Sequence, residues 1–275
     1  MNKKLAFCKM VGAGNDFIIL DHPARMNFKK LAPVMCDRTN GIGADGLLVL
    51  SPSRKTDFRM RIINADGSEA EMCGNGARCM AAYIVRYKKP KQKLFGVETI
   101  AGLIMSEAKG QIANVHLSDP LGYKESIKLK INKRVMHLSY IDTGVPHVIV
   151  FVDSLMQIPV NVIGEQIRYH KNFSPRGTNV NFVEQLLDDL VAVRTYERGV
   201  EGETKACGTG SVAAALVNYL KGYAAGRDKK KAKMKVLTQS GETLFVTFDV
   251  INGQPKNVWL KGSAKFIAKG EYFIK

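Results

Sequence analysis

One cysteine-led pattern occurs twice in this chain, and it constrains the fold more than any other feature. Cys73-Gly74-Asn75-Gly76-Ala77-Arg78-Cys79-Met80-Ala81-Ala82 returns 134 residues later as Cys207-Gly208-Thr209-Gly210-Ser211-Val212-Ala213-Ala214-Ala215. Each copy reads C-G-[NT]-G followed by small residues. That composition suits a helix packed closely on all sides, with the Asn or Thr expected to cap it. A weaker echo lies upstream, where Gly12-Ala13-Gly14-Asn15-Asp16-Phe17-Ile18-Ile19 parallels Gly144-Val145-Pro146-His147-Val148-Ile149. A length of 275 residues favours two domains. The repeat turns them into two related halves, each strand-rich around one helix.

Strand signals dominate the pattern along the chain. Phe17–Leu20, Gly46–Leu50, Phe58–Ile63, Val148–Val152 and Leu244–Phe248 are short, β-branched or aromatic, and bounded by Gly, Asp, Asn or Pro. Phe58–Ile63 alternates apolar and basic residues, as a half-buried strand does. Others are apolar on both faces, which implies cover on both sides. Helices are expected at Phe28–Asp37, Ala77–Tyr87, Val160–Arg168 and Ser211–Gly222.

Composition excludes several classes. Apolar residues make up 45% and charged residues 24%, ordinary values for a globular protein and wrong for a disordered or collagen-like chain. No apolar run is long enough to span a bilayer. Met1–Phe17 has no apolar stretch of the kind a signal peptide needs, so the expected compartment is the cytoplasm. Five scattered cysteines fit a reducing compartment rather than a disulfide framework. Their spacing also lacks any CxxC or finger-like His partner, so no metal site is expected. The net charge of +16 raises the question of a polyanion partner. Its local support is Arg227–Lys235 and Lys88–Lys93. Both runs follow a predicted helix, read as solvated loops and lack interleaved aromatics, so no specific nucleic-acid binding and no membrane partner is expected.

A cysteine at a helix N-terminus meets the positive end of the macrodipole and unpaired N–H groups, both of which favour the thiolate. The glycines after it let the backbone approach a carboxylate. Two such units related by duplication suit removal of a proton from one face of a carbon acid and delivery to the other. That chemistry is racemisation or epimerisation, with a thiolate and a thiol as base and acid. Cys8, Cys36 and Cys79 lack the duplicated setting and read as small core residues.

These motifs resemble the diaminopimelate epimerase family. The likeness rests on Lys9-Met10 with Gly12-Ala13-Gly14-Asn15-Asp16-Phe17, Gly41-Ile42-Gly43-Ala44-Asp45-Gly46, Asn64-Ala65-Asp66-Gly67-Ser68, the two cysteine motifs, Gly177-Thr178-Asn179-Val180-Asn181-Phe182 and Tyr196-Glu197-Arg198-Gly199. They occur in the family's order from residue 9 to residue 210. The resemblance implies an α/β (α+β) fold of two pseudo-symmetric domains, each an antiparallel barrel-like sheet around a central helix. With the repeat it divides the chain into 1–118, joined by a returning 264–275, and 119–263. It also implies interconversion of LL- and meso-2,6-diaminopimelate, for lysine and peptidoglycan precursors, by a homodimer that needs neither pyridoxal phosphate nor metal.

Carried over by motif, Cys73 and Cys207 are the acid/base thiols, and His147 and Glu197 tune them. Gly74, Asn75, Gly208 and Thr209 hold the reacting carboxylate, and Asn15 sits near the reacting centre. Asn64, Asn179, Glu197 and Arg198 bind the far end of the substrate. A guanidinium suits a carboxylate there and Asn amides serve both charged groups, although a neighbouring Glu–Arg pair in a turn also occurs as a simple solvated pair. The chain departs from the family at Val145, where relatives often carry Asn, and at Gly46, where they often carry Gln. A proline or hydroxyproline racemase-like enzyme is the nearest rival, and the Asn64, Asn179, Glu197 and Arg198 set argues against it.

Overall fold

The five segments read as strands lie within Asn15–Asp21, Gly46–Pro52, Phe58–Asn64, Pro146–Phe151 and Thr243–Ile251 of a computed structural model, with Val152 just outside the fourth. The structure describes residues 3–23, 26–131, 134–222 and 229–274. Four α-helices are present among these residues: α1 (Phe28–Cys36), α2 (Gly74–Tyr87), α3 (Val160–Arg168) and α4 (Gly208–Lys221). Both α2 and α4 begin three residues earlier than expected. The glycine-containing segments form their first turns, and the cap is the cysteine itself rather than Asn75 or Thr209.

Contacts divide the chain into two units, one holding the residues up to His116 with those from Lys261 onward, the other Leu117–Leu260. In the first unit, Lys3–Gly12 and Asn15–Asp21 form a hairpin closed at Gly12 and Asn15. After α1, Gly46–Pro52 pairs in parallel with Asn15–Asp21, and Phe58–Asn64 returns antiparallel to it. The short Glu69–Ala70 strand precedes α2. Phe95–Thr99 then pairs in parallel with Phe58–Asn64, and Gly102–Lys109 and Ile112–His116 follow antiparallel. Lys265–Ile274 completes this unit against Lys3–Gly12.

The second unit repeats that order. Arg134–Asp142 and Pro146–Phe151 form the hairpin, and Leu121–Ile131 flanks it. After α3, Asn179–Leu187 lies parallel to Pro146–Phe151, and Leu190–Glu197 returns antiparallel. Gly202–Thr204 precedes α4. Lys229–Thr238 then pairs in parallel with Leu190–Glu197, and Thr243–Ile251 pairs antiparallel with it. The class is therefore α+β and most ladders are antiparallel. Each unit adds two parallel pairs, each joined by a crossover that contains a helix, as parallel pairing requires.

α1 and α3 have nine residues each, too short to persist alone, and α1 also contains Pro33. Burial holds them in place. Leu31, Ala32, Met35 and Cys36 of α1 pack with Ile18, Leu20, Leu47 and Val49, and Val160 and Ile167 of α3 pack with Val148, Val150, Val180 and Phe182. Each large apolar side chain so covered contributes about 1.5–3 kcal/mol. α2 and α4 are central instead: every residue from Gly74 to Ile84 is buried, as is every residue from Gly210 to Asn218. Their small side chains let strands approach on several sides. A Cβ at Gly12 would lie 3.1 Å from both the Asn75 carbonyl and Cys79 Sγ.

One expectation is corrected. The basic run expected as a solvated loop is part of the strand Lys229–Thr238, whose Ala232, Met234 and Val236 are buried while Lys231 and Lys233 face out. Period-2 alternation with lysine on the outer face hides a strand behind a charge run. Arg227 and Asp228 lie outside the described residues. Lys88–Lys93, by contrast, lies between α2 and the strand Phe95–Thr99.

Candidate active site

Each reactive-cysteine candidate caps its own helix, with the same geometry in both units. The Gly76 amide donates to Cys73 Sγ at 3.4 Å, and the Gly210 amide donates to Cys207 Sγ at 3.4 Å. Both cysteines have extended backbone, as a cap residue must, so each sulfur faces the open N–H groups of the first turn. A partial positive charge is thereby set against each sulfur. Cys73 is half-buried and Cys207 is buried. Thr209 Oγ1 lies 3.4 Å from Cys207 Sγ, and Thr143 Oγ1 donates to the Thr209 carbonyl at 3.1 Å.

The other cysteines behave as core residues. Cys8, Cys36 and Cys79 are buried thiols. Burial pushes the Cys8 thiol up; it also pushes Cys36 up to about 12, helped by the carboxylates of Asp16 and Asp45. Neither is available as a thiolate near neutral pH.

In the first unit a polar chain orders the start of α2. Asn75 Nδ2 donates to Asn15 Oδ1, and Asn15 Nδ2 donates to Asp45 Oδ2 at 3.0 Å. Asn75 Oδ1 accepts from the fully buried Arg78 at 2.8 Å, whose guanidinium also donates to the Gly74 carbonyl at 3.3 Å. Arg38 bridges Asp16, at 2.8 and 3.1 Å, to Asp45 at 2.7 Å, and Lys9 pairs with Asp16 at 3.0 Å. Burial opposes the charge of Asp16, but the hydrogen bonds from Arg38 and Lys9 outweigh it and hold the carboxyl below its ordinary range. Gly46, just after Asp45, pairs with Asn64, which brings Asn64 beside this group. Asn64 is exposed at the end of its strand and donates to Ser68 Oγ at 2.9 Å.

In the second unit the parallel register sets His147 opposite Asn179. Asn179 Nδ2 donates to the Pro146 carbonyl at 3.2 Å, and its Oδ1 accepts from the Arg198 amide at 2.8 Å. The Arg198 side chain donates to the Arg176 carbonyl at 3.0 Å, and Glu197 accepts from Thr204 Oγ1 at 3.0 Å. His147 is completely buried, and burial, with the positive charge of Arg198, lowers its pKa to about 3. It is a neutral imidazole at working pH. An open hollow of ≈ 620 Å³ lined by Lys124, Tyr140, Pro146, Arg176 and Gly177 adjoins these residues, but neither Cys207 nor His147 lines it.

Three polar residues here received no role from the motifs, although Asn181 lies within one of them. Asn181, Thr195 and Thr143 are buried and bonded around His147 and the start of α4. Asn181 had a signal: it follows Asn179 by two residues, so both lie on one face of the strand, among the apolar Val180, Phe182 and Val183 of its buried half. No group of three or more His, Cys, Asp or Glu side chains among the described residues is arranged to hold a metal. No helix among them is long and apolar enough to cross a membrane.

The family model for diaminopimelate epimerase matches residues 7–119 and 139–267. Diaminopimelate epimerase of Aquifex aeolicus is 39% identical over 280 residues, covering 97% of this chain and 97% of that protein. Among solved structures, a hydroxyproline epimerase from Agrobacterium vitis, crystallised with trans-4-hydroxy-L-proline, superposes with a TM-score of 0.75 at 13% identity, over 100% of this chain and 94% of that one. A PhzF-family phenazine biosynthesis protein of Bacillus anthracis gives 0.74 at 18% identity, over 99% and 100%. At such identities these two speak for the fold alone. The full-length relative and the family model say more, and by them this chain belongs to the diaminopimelate epimerase family.

Proposed function

We propose that this protein interconverts LL- and meso-2,6-diaminopimelate by a two-base mechanism in which Cys73 and Cys207 act on one α-carbon. The observation that carries the reading is the duplicated cap: each unit of a chain in this family offers one cysteine sulfur, bonded to the amide three residues on, at the start of a central helix. One cysteine, as thiolate, takes the α-proton, and the C–H electron pair passes into the adjoining carboxylate. The other, as thiol, gives its proton to the opposite face of the carbon. Each turnover therefore exchanges the two roles, and the pair titrates as a unit.

A carbon acid this weak needs its developing charge stabilised by donors that are already in place. The N–H groups at Gly74, Asn75, Gly208 and Thr209 suit the reacting carboxylate. Asn15, tied to Asn75, suits the neighbouring ammonium. Asn64, Asn179, Glu197 and Arg198 serve the distal charged end, and His147 and Glu197 modulate the thiols. No cofactor enters the reaction so written. A homodimer working in the cytoplasm completes this reading.

Incubation with LL- or meso-diaminopimelate in heavy water tests the proposal. Deuterium is expected at the α-carbon together with interconversion of the isomers, both lost in Cys73→Ser and in Cys207→Ser. Exchange surviving in either variant would remove that cysteine from the mechanism. Failure of the parent protein to act on either isomer, with proline turned over instead, would overturn the substrate.

A further inference from the structure

Asn181 is fully buried and takes no role in the mechanism above. Its amide orientation follows from one neighbour. The Val148 carbonyl oxygen, 3.0 Å away, can only accept, so the group facing it is Nδ2. That same nitrogen lies 3.1 Å from His147 Nδ1, which must then be the acceptor. On a neutral ring the proton is left on Nε2. Thr195 Oγ1 closes the other end of the amide by donating to Asn181 Oδ1 at 3.0 Å. Oδ1 also lies so close to Gly210 that any side chain there would collide with it, which ties the same amide to the first turn of α4. His147 Nε2, by contrast, is buried with no hydrogen-bond partner among the described residues. Leaving a buried donor unpaired costs about 1–3 kcal/mol, a cost that calls for a functional explanation.

We propose that Asn181, braced by Thr195, is a positioning residue that holds His147 as a neutral imidazole with its proton on Nε2, giving the site an N–H donor in place of a base. This rests on the epimerase reading of the Cys207 site. A basic ring nitrogen beside a carbon acid would offer a third place for the α-proton and blur which thiol takes it. An N–H held by its neighbours stabilises negative charge without competing for that proton. Arg198 is the charged side chain that bears on the ring, and with burial it keeps the ring from becoming a cation.

Two-bond ¹H–¹⁵N correlation spectra of the intact protein, labelled at histidine and recorded without substrate, read the tautomer directly. The loss of one signal set in His147→Gln assigns the ring. The expected result is a single Nε2–H form, unchanged from pH 5 to pH 9. Thr195→Val is expected to give a mixture of tautomers. Asn181→Asp, whose carboxylate can only accept, is expected to draw a proton onto Nδ1. It should also lower kcat/KM roughly 10-fold to 100-fold, as loss of an orienting partner commonly does, and shift the acid limb of the pH profile. A wild-type ring protonated on Nδ1, a ring that titrates within this range, or Asn181→Asp with the proton still on Nε2 alone would overturn the proposal. Should Asn181→Asp not fold, the wild-type spectrum and Thr195→Val decide. Because the spectra need no substrate, a wrong tautomer leaves the epimerase reading untouched. Equally, inactivity toward diaminopimelate leaves the tautomer assignment untouched.

Discussion

At Gly46 the chain has no side chain where many family members carry Gln, and the backbone shows why the position resists one. A Cβ there would lie 2.7 Å from the Ile63 carbonyl oxygen, in the antiparallel pair that also sets Asn64. Restoring the glutamine therefore adds strain before it adds any substrate contact. Gly46→Gln is expected to lose about 1–3 kcal/mol of stability, the usual range for overfilling a packed site, as read by denaturant unfolding. A variant as stable as the parent would mean the strand yields freely there. Val145 differs: it is half-buried in the turn between two hairpin strands, so its replacement raises a question of substrate contact alone. That Cys73 and Cys207 stand at the starts of two matching helices was legible at this scale because a duplicated motif announces itself. Asn181 was not, since its role depends on a strand register linking segments more than 30 residues apart in sequence.

For α2 and α4, the proposed catalysis and the observed helix initiation converge on the same two sulfurs. The expected Asn or Thr caps are instead in the first turn, which frees their backbone N–H groups, with those of the glycines, to point outward. Serine is a good N-cap and alanine a poor one. Cys73→Ser and Cys207→Ser are therefore expected to keep the parent's thermal stability, whereas the corresponding alanine variants lose about 1 kcal/mol each, while all four are inactive. Equal melting temperatures for the serine and alanine variants would show that the sulfur caps contribute nothing to the fold. Other elements were legible in proportion to their apolar signal. All four helices and the short doubly covered strands stood out. Leu121–Ile131 and Lys229–Thr238 did not, because lysines fill their outer faces and a charge run reads as loop until the alternation beneath it is weighed.

Across the whole molecule, the same order of hairpin, helix, strand pair, short strand and helix occurs in both units. The half-length offset of two motifs carried that organisation in the sequence. The parallel pairings did not show there, since pairing across a crossover leaves no local mark. Acid stability is a further property of the molecule as a whole. The buried His147 has a pKa lowered to about 3, whereas the unfolded chain protonates near the ordinary value, so the unfolded state takes up the proton first as pH falls. Its contribution is complete above about pH 6.5 and is lost below that, by up to roughly 1.4 kcal/mol per pH unit. Asp16, held below its ordinary carboxyl range, adds a loss only at lower pH. The parent should therefore lose about 2 kcal/mol more than His147→Gln between pH 7 and pH 5 in urea unfolding. Equal losses would mean that the ring is not kept neutral by the fold.

The caps also make the chemistry visible from the backbone. Each sulfur receives a hydrogen bond from a glycine amide, and that bond tightens or slackens as the sulfur loses or gains its proton. The resonances of Gly76 and Gly210 are thus two built-in gauges, one per unit. Under the proposed two-base mechanism they register which thiol holds the shared proton at any moment, with no label placed on the sulfur itself.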